Sequence, residues 1–232
     1  DTFSMLRKDG IIQVTAYGVS KHTAFPEGGV NAIYLLTREL QKQGLDQGNE
    51  EVIALYTQVN RDFYGTGLEI AFEDEVSGKL TCVGSMLSCQ EGKSALGLNI
   101  RYPITADSEE LIGSIKKVCE SQGCTFELDR DSKPNYFPKE HPVVGRFTEI
   151  YNQMTGSATS PYVMGGGTYA RKLPHAFAFG MGMPYTLPEG FLKPQHGGGH
   201  EPDEALNIEK LLEAMKIYCR CLISLDDYSL EG

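Results

Sequence analysis

The sequence is short of basic residues and has no long apolar run. Its 232 residues include 21 lysines and arginines against 31 aspartates and glutamates, and the formal net charge is −10 at pH 7. Nucleic-acid binding depends largely on basic side chains that contact phosphates, so this balance argues against a nucleic-acid partner. The charge also disfavours anionic membrane surfaces, and no segment approaches the roughly 20 apolar residues of a membrane-spanning helix. We therefore expect neither nucleic acid nor membrane as a partner.

The sequence also lacks C-x-x-C pairs, the spacing typical of structural zinc sites. The six cysteines are Cys82, Cys89, Cys119, Cys124, Cys219 and Cys221. Reduced thiols in a cytoplasmic protein are the simplest interpretation. The first residue is Asp1, and the opening residues are typical of the middle of a domain. We therefore expect a piece of a longer protein.

Hydrophobic periodicity predicts an α+β fold for the first part of the chain, with helices on one face of an antiparallel sheet. The expected elements are a strand (11–19), two helices (30–44 and 50–63), a three-stranded meander (68–103), a helix that Asp107 or Ser108 caps and that ends at Cys119, and a strand (124–130). Asn49 is a plausible N-cap of the second helix.

Three prolines within residues 131–142 predict a domain boundary. Beyond the boundary we expect a helix from His141 to Thr155. A glycine-rich turn followed by a buried strand is expected within residues 161–182. A long loop then leads to a final amphipathic helix.

The segment QHGGGHEPDE, residues 195–204, places two histidines and several acids before that final helix. A neutral His200 could ligate zinc, with nearby carboxylates fixing its tautomer; alternatively, Asp203 caps the helix and His200 is solvated. His196 lacks the rigid i, i+4 spacing of a two-histidine zinc motif, so we interpret it as a non-ligand. The run HGGG also occurs in the oxyanion loops of lipases, but the G-x-S-x-G motif that they require is absent.

Three further positions are candidates for binding or catalysis. The turn GGGTYAR, residues 165–171, could hold an anion through backbone N–H groups, with Thr168 and Arg171 adding side-chain donors; a plain tight turn is the alternative. His22, in a loop between a strand and a helix, could donate to a developing oxyanion or simply lie on the surface. Arg101, in an otherwise apolar strand, needs either an ion-pair partner or a ligand carboxylate.

The order of these segments along the chain resembles the second half of dipeptidases of the PepV type. The segments are GVSKHTAFPEGGVNAI, LNIRYP, GGGTYAR, PHAFAFG and GHEPDE. The PepV-type group belongs to the zinc aminopeptidase-like family that includes carnosinases, aminoacylases and succinyl-diaminopimelate desuccinylase. The resemblance covers nearly the whole chain. It implies a protein that hydrolyses dipeptides or related N-acyl amino acids.

The resemblance also implies a domain organisation. Residues 1–138 would be a ferredoxin-like lid, incomplete at its N-terminus because the opening strand is absent from the predicted elements. Residues 139–232 would be the C-terminal part of an α/β catalytic domain. Lids of this kind dimerise in some relatives, so a homodimer through the lid is an expectation.

By the same resemblance, His22 is the lid histidine that polarises the scissile carbonyl, and Arg101 holds the carboxylate of the substrate. Thr168, with the backbone around Gly167, contacts the substrate. Arg171 either binds the substrate or braces the loop.

The expected metal site is mostly missing from the chain. The resemblance implies two zinc ions, with manganese as an alternative, and it makes His200 the single metal ligand in this segment. The sequence contains no H-x-D motif, and its two Glu-Glu pairs, at 50–51 and 109–110, lie at predicted helix starts, where acids suit the helix dipole. We therefore expect the isolated chain to be inactive without the N-terminal half of the protein.

Two alternative functions stay open at the level of sequence. One is a non-catalytic α+β module that mediates association. The other is a peptide- or amino-acid-binding domain that uses Arg101 and Thr168.

Overall fold

The computed structural model describes residues 2–180, 182, 190–193, 196–198 and 203–230. Within these residues the chain has a mixed α+β fold. The strands are β1 (Phe3–Lys8), β2 (Ile11–Ala16), β3 (Glu73–Asp74), β4 (Gly78–Lys79), β5 (Thr81–Gln90) and β6 (Lys93–Arg101). The helices are α1 (Ala32–Lys42), α2 (Glu50–Val59), α3 (Ser108–Ser121), α4 (Pro142–Thr155) and α5 (Ile208–Leu230).

The chain divides into two compact units. The first comprises Asp1–Pro134 and Met164–Gly166, and the second comprises Asn135–Val163 and Gly167–Gly232. The glycine-rich segment is therefore shared between the units, with Gly165 assigned to the first and Gly167 to the second.

The strands of the first unit form three separate antiparallel pairs in the described part of the chain. β1 pairs with β2, β3 with β4, and β5 with β6, the last pair carrying a register shift between Gly84 and Met86. The predicted three-stranded meander is therefore wrong, because residues 68–103 form one very short pair and one long hairpin. β1, the strand that precedes β2, was not among the predicted elements.

Two predicted strands are absent from the structure. Residues 124–130 alternate as a strand would, and Cys124 and Phe126 pack against the core, but among the described residues no backbone pairs with them as a strand. Residues 173–180 contribute Phe177 and Phe179 to apolar packing and likewise form no strand. In both segments part of the hydrophobic pattern reflects side-chain packing, although Leu128 is exposed, and packing alone does not make a strand because a strand requires a hydrogen-bonded partner.

The core of the first unit lies between α2, α3 and the start of β5. Its buried residues are Leu55, Val59, Leu68, Ile70, Leu80, Cys82, Ile115 and Val118. Burial of this apolar surface is the main stabilising contribution to the unit. The strongly buried thiol of Cys82 belongs to this core.

Side-chain caps mark two of the three helix starts in the first unit, those of α1 and α3. The Asp107 carboxylate accepts hydrogen bonds from the N–H groups of Glu109 and Glu110, so α3 begins where one of the two predicted caps places it. Asn49 precedes α2 as expected, but its side chain makes no capping hydrogen bond. Asn31 caps α1, and its Oδ1 accepts from Ile33 and Tyr34.

The second unit is built on the contact between α4 and α5. Val143 and Phe147 of α4 and Ile217 and Cys221 of α5 form its buried core. α4 begins one residue after the predicted start, and the Nδ1 atom of His141 accepts from the Val143 N–H at 3.3 Å.

The start of α5 differs from the expectation that Asp203 caps it. α5 begins at Ile208, and Asn207 Oδ1 accepts from the Lys210 N–H at 3.0 Å. Asn207 is therefore the capping residue. Among the described residues no helix combines the length and the apolar character that crossing a bilayer requires.

All six cysteines are free, as the sequence predicted, and they differ sharply in exposure. Cys89 and Cys219 are exposed, whereas Cys82 and Cys221 are buried. Burial, assisted by the negative charge of Asp62, raises the pKa of the Cys82 thiol to about 12. Burial also raises the pKa of Cys221. Because the thiolate is the reactive form, burial and the raised pKa both lower the reactivity expected of these two thiols in the folded protein.

Candidate functional site

The loop that carries His22 is held at both ends. It connects β2 to α1, and a two-way backbone bridge joins Val19 and Val30, with N–H···O distances of 2.9 and 3.0 Å. A Cβ atom added to Gly18 would lie 2.5 Å from the Val30 carbonyl oxygen, so this close approach requires glycine. The bridge closes the loop at its base and limits the positions that His22 can adopt.

Asn31 fixes the C-terminal end of this loop to the rest of the first unit. While its Oδ1 caps α1, its Nδ2 donates to Asn60 Oδ1 and to the Gly84 carbonyl, both at 3.0 Å. Asn60 is only 3% exposed, and its own Nδ2 donates to the Tyr56 carbonyl at 2.8 Å. The loop, α1, α2 and β5 therefore meet in one hydrogen-bonded network.

A second contact joins the loop to the region after α2. The Tyr64 hydroxyl donates to Glu27 Oε1 at 3.0 Å. Burial raises the pKa of Tyr64, and the hydrogen bond and negative charge of Glu27 raise it further. Tyr64 is therefore a hydrogen-bond donor throughout the neutral pH range.

The His22 ring is half-buried, and one of its nitrogen atoms is a hydrogen-bond acceptor. The Ala24 N–H donates to His22 Nδ1 at 3.1 Å, and the Phe25 ring lies 6.2 Å away between centroids. An acceptor at Nδ1 places the proton of the neutral imidazole on Nε2. In this tautomer the Nε2 atom of His22 is a hydrogen-bond donor, the form that stabilisation of a carbonyl oxygen requires.

Arg101, the last residue of β6, reaches the same loop. Its Nε and Nη2 atoms donate to Thr23 Oγ1 at 3.1 and 2.8 Å, and Nε also donates to Asn99 Oδ1 at 3.1 Å. Nη1 donates to the Gly165 carbonyl. A Cβ atom on Gly165 would lie 2.9 Å from Arg101 Cδ, so the arginine packs closely on this glycine. The structure therefore joins Arg101 to the residue next to His22.

In the part of the glycine-rich turn that belongs to the second unit, the side chains of Thr168 and Arg171 contact neighbouring residues of the turn. Thr168 precedes a short 3-10 helix, Tyr169–Lys172, and its hydroxyl accepts from the Ala170 N–H at 3.3 Å. A Cβ atom on Gly167 would lie 2.6 Å from Arg171 Nη1, so the Arg171 side chain lies over this glycine. The roles expected for Gly167, Thr168 and Arg171 in substrate contact stay predictions.

The predicted metal ligand His200 and its neighbour Glu201 lie outside the described residues. Before them, His196 Nδ1 and Asp203 Oδ2 are 2.7 Å apart, and the Ala205 N–H donates to the Gly197 carbonyl at 3.1 Å. Asp203 therefore pairs with His196 instead of capping α5. Across the described ranges, no group of three or more His, Cys, Asp or Glu side chains could hold a metal ion. These residues alone do not fit a zinc site.

Sequence reasoning missed the residues that hold Arg101 and the His22 loop in place. Asn99 lies two positions before Arg101, on the same face of β6, and this spacing could have suggested the contact. Thr23 adjoins His22, yet nothing local links it to an arginine 78 residues away. Asn31 directly precedes α1, where an asparagine is a recognisable N-cap signal.

No protein-family model matches the chain. The chain is similar to the protein named "Putative dipeptidase YtjP" of Bacillus subtilis (strain 168), with 33% identity over 94% of this chain and 45% of that protein. It is also similar to "Putative dipeptidase SSP1012" of Staphylococcus saprophyticus, with 28% identity over 93% of this chain and 45% of that protein. A protein of Staphylococcus aureus (strain N315) with the same type of name is 29% identical over the same shares.

The similarity to proteins of this name thus extends over almost the entire chain. The chain, however, spans less than half the length of the curated relatives that it matches.

Proposed function

We propose that the chain is part of a dipeptidase that hydrolyses dipeptides or related N-acyl amino acids. The proposal gives residues 1–138 the role of a lid and residues 139–232 that of the C-terminal part of a catalytic domain. The names of the relatives support the reaction class. The observation that carries the proposal is the hydrogen-bonded connection between Arg101 and the His22 loop, since a dipeptidase needs a carboxylate-binding group near a donor for the scissile carbonyl.

In this proposal Arg101 binds the C-terminal carboxylate of the substrate. Guanidinium groups pair with carboxylates through two parallel hydrogen bonds, which fix orientation as well as affinity. His22 donates from Nε2 to the carbonyl oxygen of the scissile bond and stabilises the negative charge that develops there. The turn at Gly167 and Thr168 contacts the remainder of the substrate, and Arg171 braces the turn or joins that contact.

We further propose that the longer protein uses two metal ions, zinc or manganese, and that His200 is the ligand contributed by this chain. The remaining ligands and a general base would come from the upstream half. The described residues offer no metal site of their own, so the roles given to His22 and Arg101 rest on hydrogen bonding alone. A cytoplasmic location and a homodimer through the lid belong to the same proposal.

The test is hydrolysis of a dipeptide and of its C-terminal amide by the protein that contains this chain and the upstream half. We expect turnover of the dipeptide, and Arg101→Lys should raise KM for it by about 10-fold or more, since a hydrogen bond to a charged group contributes roughly 1.5 kcal/mol or more. The amide should be affected much less, because it lacks the carboxylate that Arg101 binds.

Arg38→Lys is the matched control. Arg38 lies in α1 over the ring of Tyr34, at 5.4 Å, and has no proposed role in substrate binding. Equal losses on the dipeptide and the amide would contradict the proposed role of Arg101. Absence of dipeptide hydrolysis by the wild-type protein would overturn the proposed function.

A further inference from the structure

The contact between Arg101 and Thr23 has an unusual form. Two donors on one edge of the guanidinium group, Nε and Nη2, converge on the single oxygen atom Thr23 Oγ1, at 3.1 and 2.8 Å. This arrangement fixes both the position and the plane of the guanidinium group, which a single hydrogen bond would leave free to rotate. Nε is shared with Asn99 Oδ1, and the remaining nitrogen, Nη1, donates to the Gly165 carbonyl.

Orientation matters for an arginine that binds a carboxylate. The arginine side chain carries about 2 kcal/mol of rotamer entropy, and a guanidinium group held in place before binding loses less of it when the ligand arrives. Because Thr23 Oγ1 lies on the Nε/Nη2 edge, it also determines how the rest of the fork is directed.

Thr23 also adjoins His22 in the chain. The backbone N–H of Ala24, on the other side of Thr23, donates to His22 Nδ1. Three consecutive residues thus hold the His22 ring and the Arg101 guanidinium group through separate hydrogen bonds. Any shift of this short segment moves both groups together.

We propose that Thr23 is a positioning residue for dipeptide binding: its hydroxyl orients Arg101 and keeps that side chain at a fixed spacing from His22. The inference rests on the proposed dipeptidase function. It assigns to Thr23 the selection of substrates in which a free carboxylate lies one residue beyond the scissile carbonyl.

The kinetic test uses Thr23→Val, which keeps the shape of the side chain and removes the acceptor oxygen. In the protein with the upstream half, we expect KM for a dipeptide to rise by about 10-fold, the factor that corresponds to one hydrogen bond to a charged group, with a smaller change in kcat. KM for the C-terminal amide should change little. Thr23→Ser restores the hydroxyl and should restore KM.

A measurement that does not depend on activity uses the 232-residue chain. The Nε–H proton of Arg101 is identified by NMR as the signal that disappears in Arg101→Lys. Its exchange with water should be faster in Thr23→Val, by up to about 10-fold, than in the wild type or Thr23→Ser, since the variant loses one of the two acceptors of this proton and keeps only Asn99 Oδ1. Thr23→Ser keeps the acceptor oxygen while it also changes the side chain, so an exchange rate like that of the wild type in this variant separates loss of the oxygen from other effects of substitution at this position.

Thr57→Val is the matched control. Thr57 is half-buried like Thr23, and its hydroxyl donates within the helical part of the same unit, to Gln41 and to the Ile53 carbonyl. It should leave both KM and the Arg101 Nε–H exchange rate unchanged.

Each outcome decides the inference. Unchanged Nε–H exchange in Thr23→Val, or an equal rise in KM for the dipeptide and the amide, overturns it while leaving the proposed function intact. Failure of Thr23→Ser to restore KM also counts against it. Absence of dipeptide turnover by the wild-type protein overturns the proposed function and the inference together.

Discussion

Replacement of Asn31 by alanine should loosen the attachment of the His22 loop and α1 to the first unit. The substitution removes the N-cap of α1, which typically contributes about 1 kcal/mol. It also removes the hydrogen bonds from Nδ2 to Asn60 and to the Gly84 carbonyl. Each of these contributes about 1 kcal/mol, so the total loss is about 3 kcal/mol, or roughly a hundredfold in an opening equilibrium.

The chain contains a close internal control for this experiment. Asn49 occupies the equivalent position before α2 but makes no side-chain capping hydrogen bond. Asn49→Ala should therefore change stability by less than about 0.5 kcal/mol, as is usual for a surface substitution away from such contacts. Both variants replace an asparagine before a helix, so they differ mainly in the contacts of the side chain.

Amide hydrogen exchange measured by mass spectrometry is the suitable assay, because it reports on α1 and α2 separately. We expect peptides from Ala32–Lys42 to exchange about 100-fold faster in Asn31→Ala than in the wild type, while Asn49→Ala leaves exchange in α2 nearly unchanged. Similar losses of protection in the two variants would refute the reasoning. They would show that the hydrogen bonds of Asn31 contribute nothing beyond what any asparagine directly before a helix contributes.

Three further outcomes follow from the structure and the proposed function. In the longer protein, His22→Ala should lower kcat by about 10²–10³-fold with a smaller change in KM, and an unchanged kcat would make His22 an ordinary loop residue. Burial raises the pKa of Asp74, but hydrogen bonds from Ser77 and Thr105 outweigh it and lower the pKa from 3.8 to about 2. The lowered pKa stabilises the folded state at pH values above the unfolded pKa, and this contribution is lost as the pH falls through about 2. In an acid titration, the free energy of unfolding of Asp74→Asn should therefore fall less steeply than that of the wild type. Parallel curves for the two proteins would contradict this. The 232-residue chain should bind zinc weakly in calorimetry, and tight stoichiometric binding by the chain alone would contradict this expectation. In the longer protein, His200→Ala should abolish hydrolysis.

Helices were easier to predict from the sequence than strands, for a physical reason. A helix such as α3 depends on nearby residues, here the Asp107 cap and an apolar stripe, so its bounds could be predicted within a few residues. A strand depends on a partner elsewhere in the chain. The alternation at residues 124–130 therefore predicted a strand where the structure has only the partial burial of Cys124 and Phe126, while Leu128 is exposed.

The candidate site shows the same division. His22 and Arg101 could be proposed from sequence because each lies in a segment that resembles those of known dipeptidases. The hydroxyl of Thr23 could not, because its role depends on folding that brings together residues 78 positions apart. The pairing of His196 with Asp203 was also missed, since glycines separate the two and give no local preference for the contact.

The exposure of the cysteines gives the chain a pair of natural attachment points for probes. Cys89 lies at the end of β5 in the first unit, and Cys219 lies on α5 in the second. The buried thiols of Cys82 and Cys221 would resist maleimide or methanethiosulfonate reagents under the same conditions. After serine replacement of the half-buried Cys119 and Cys124, spin labels at the two exposed positions would measure the distance between the units by pulsed electron resonance. Any change in that distance on addition of a dipeptide could then be tested without introducing a single new cysteine.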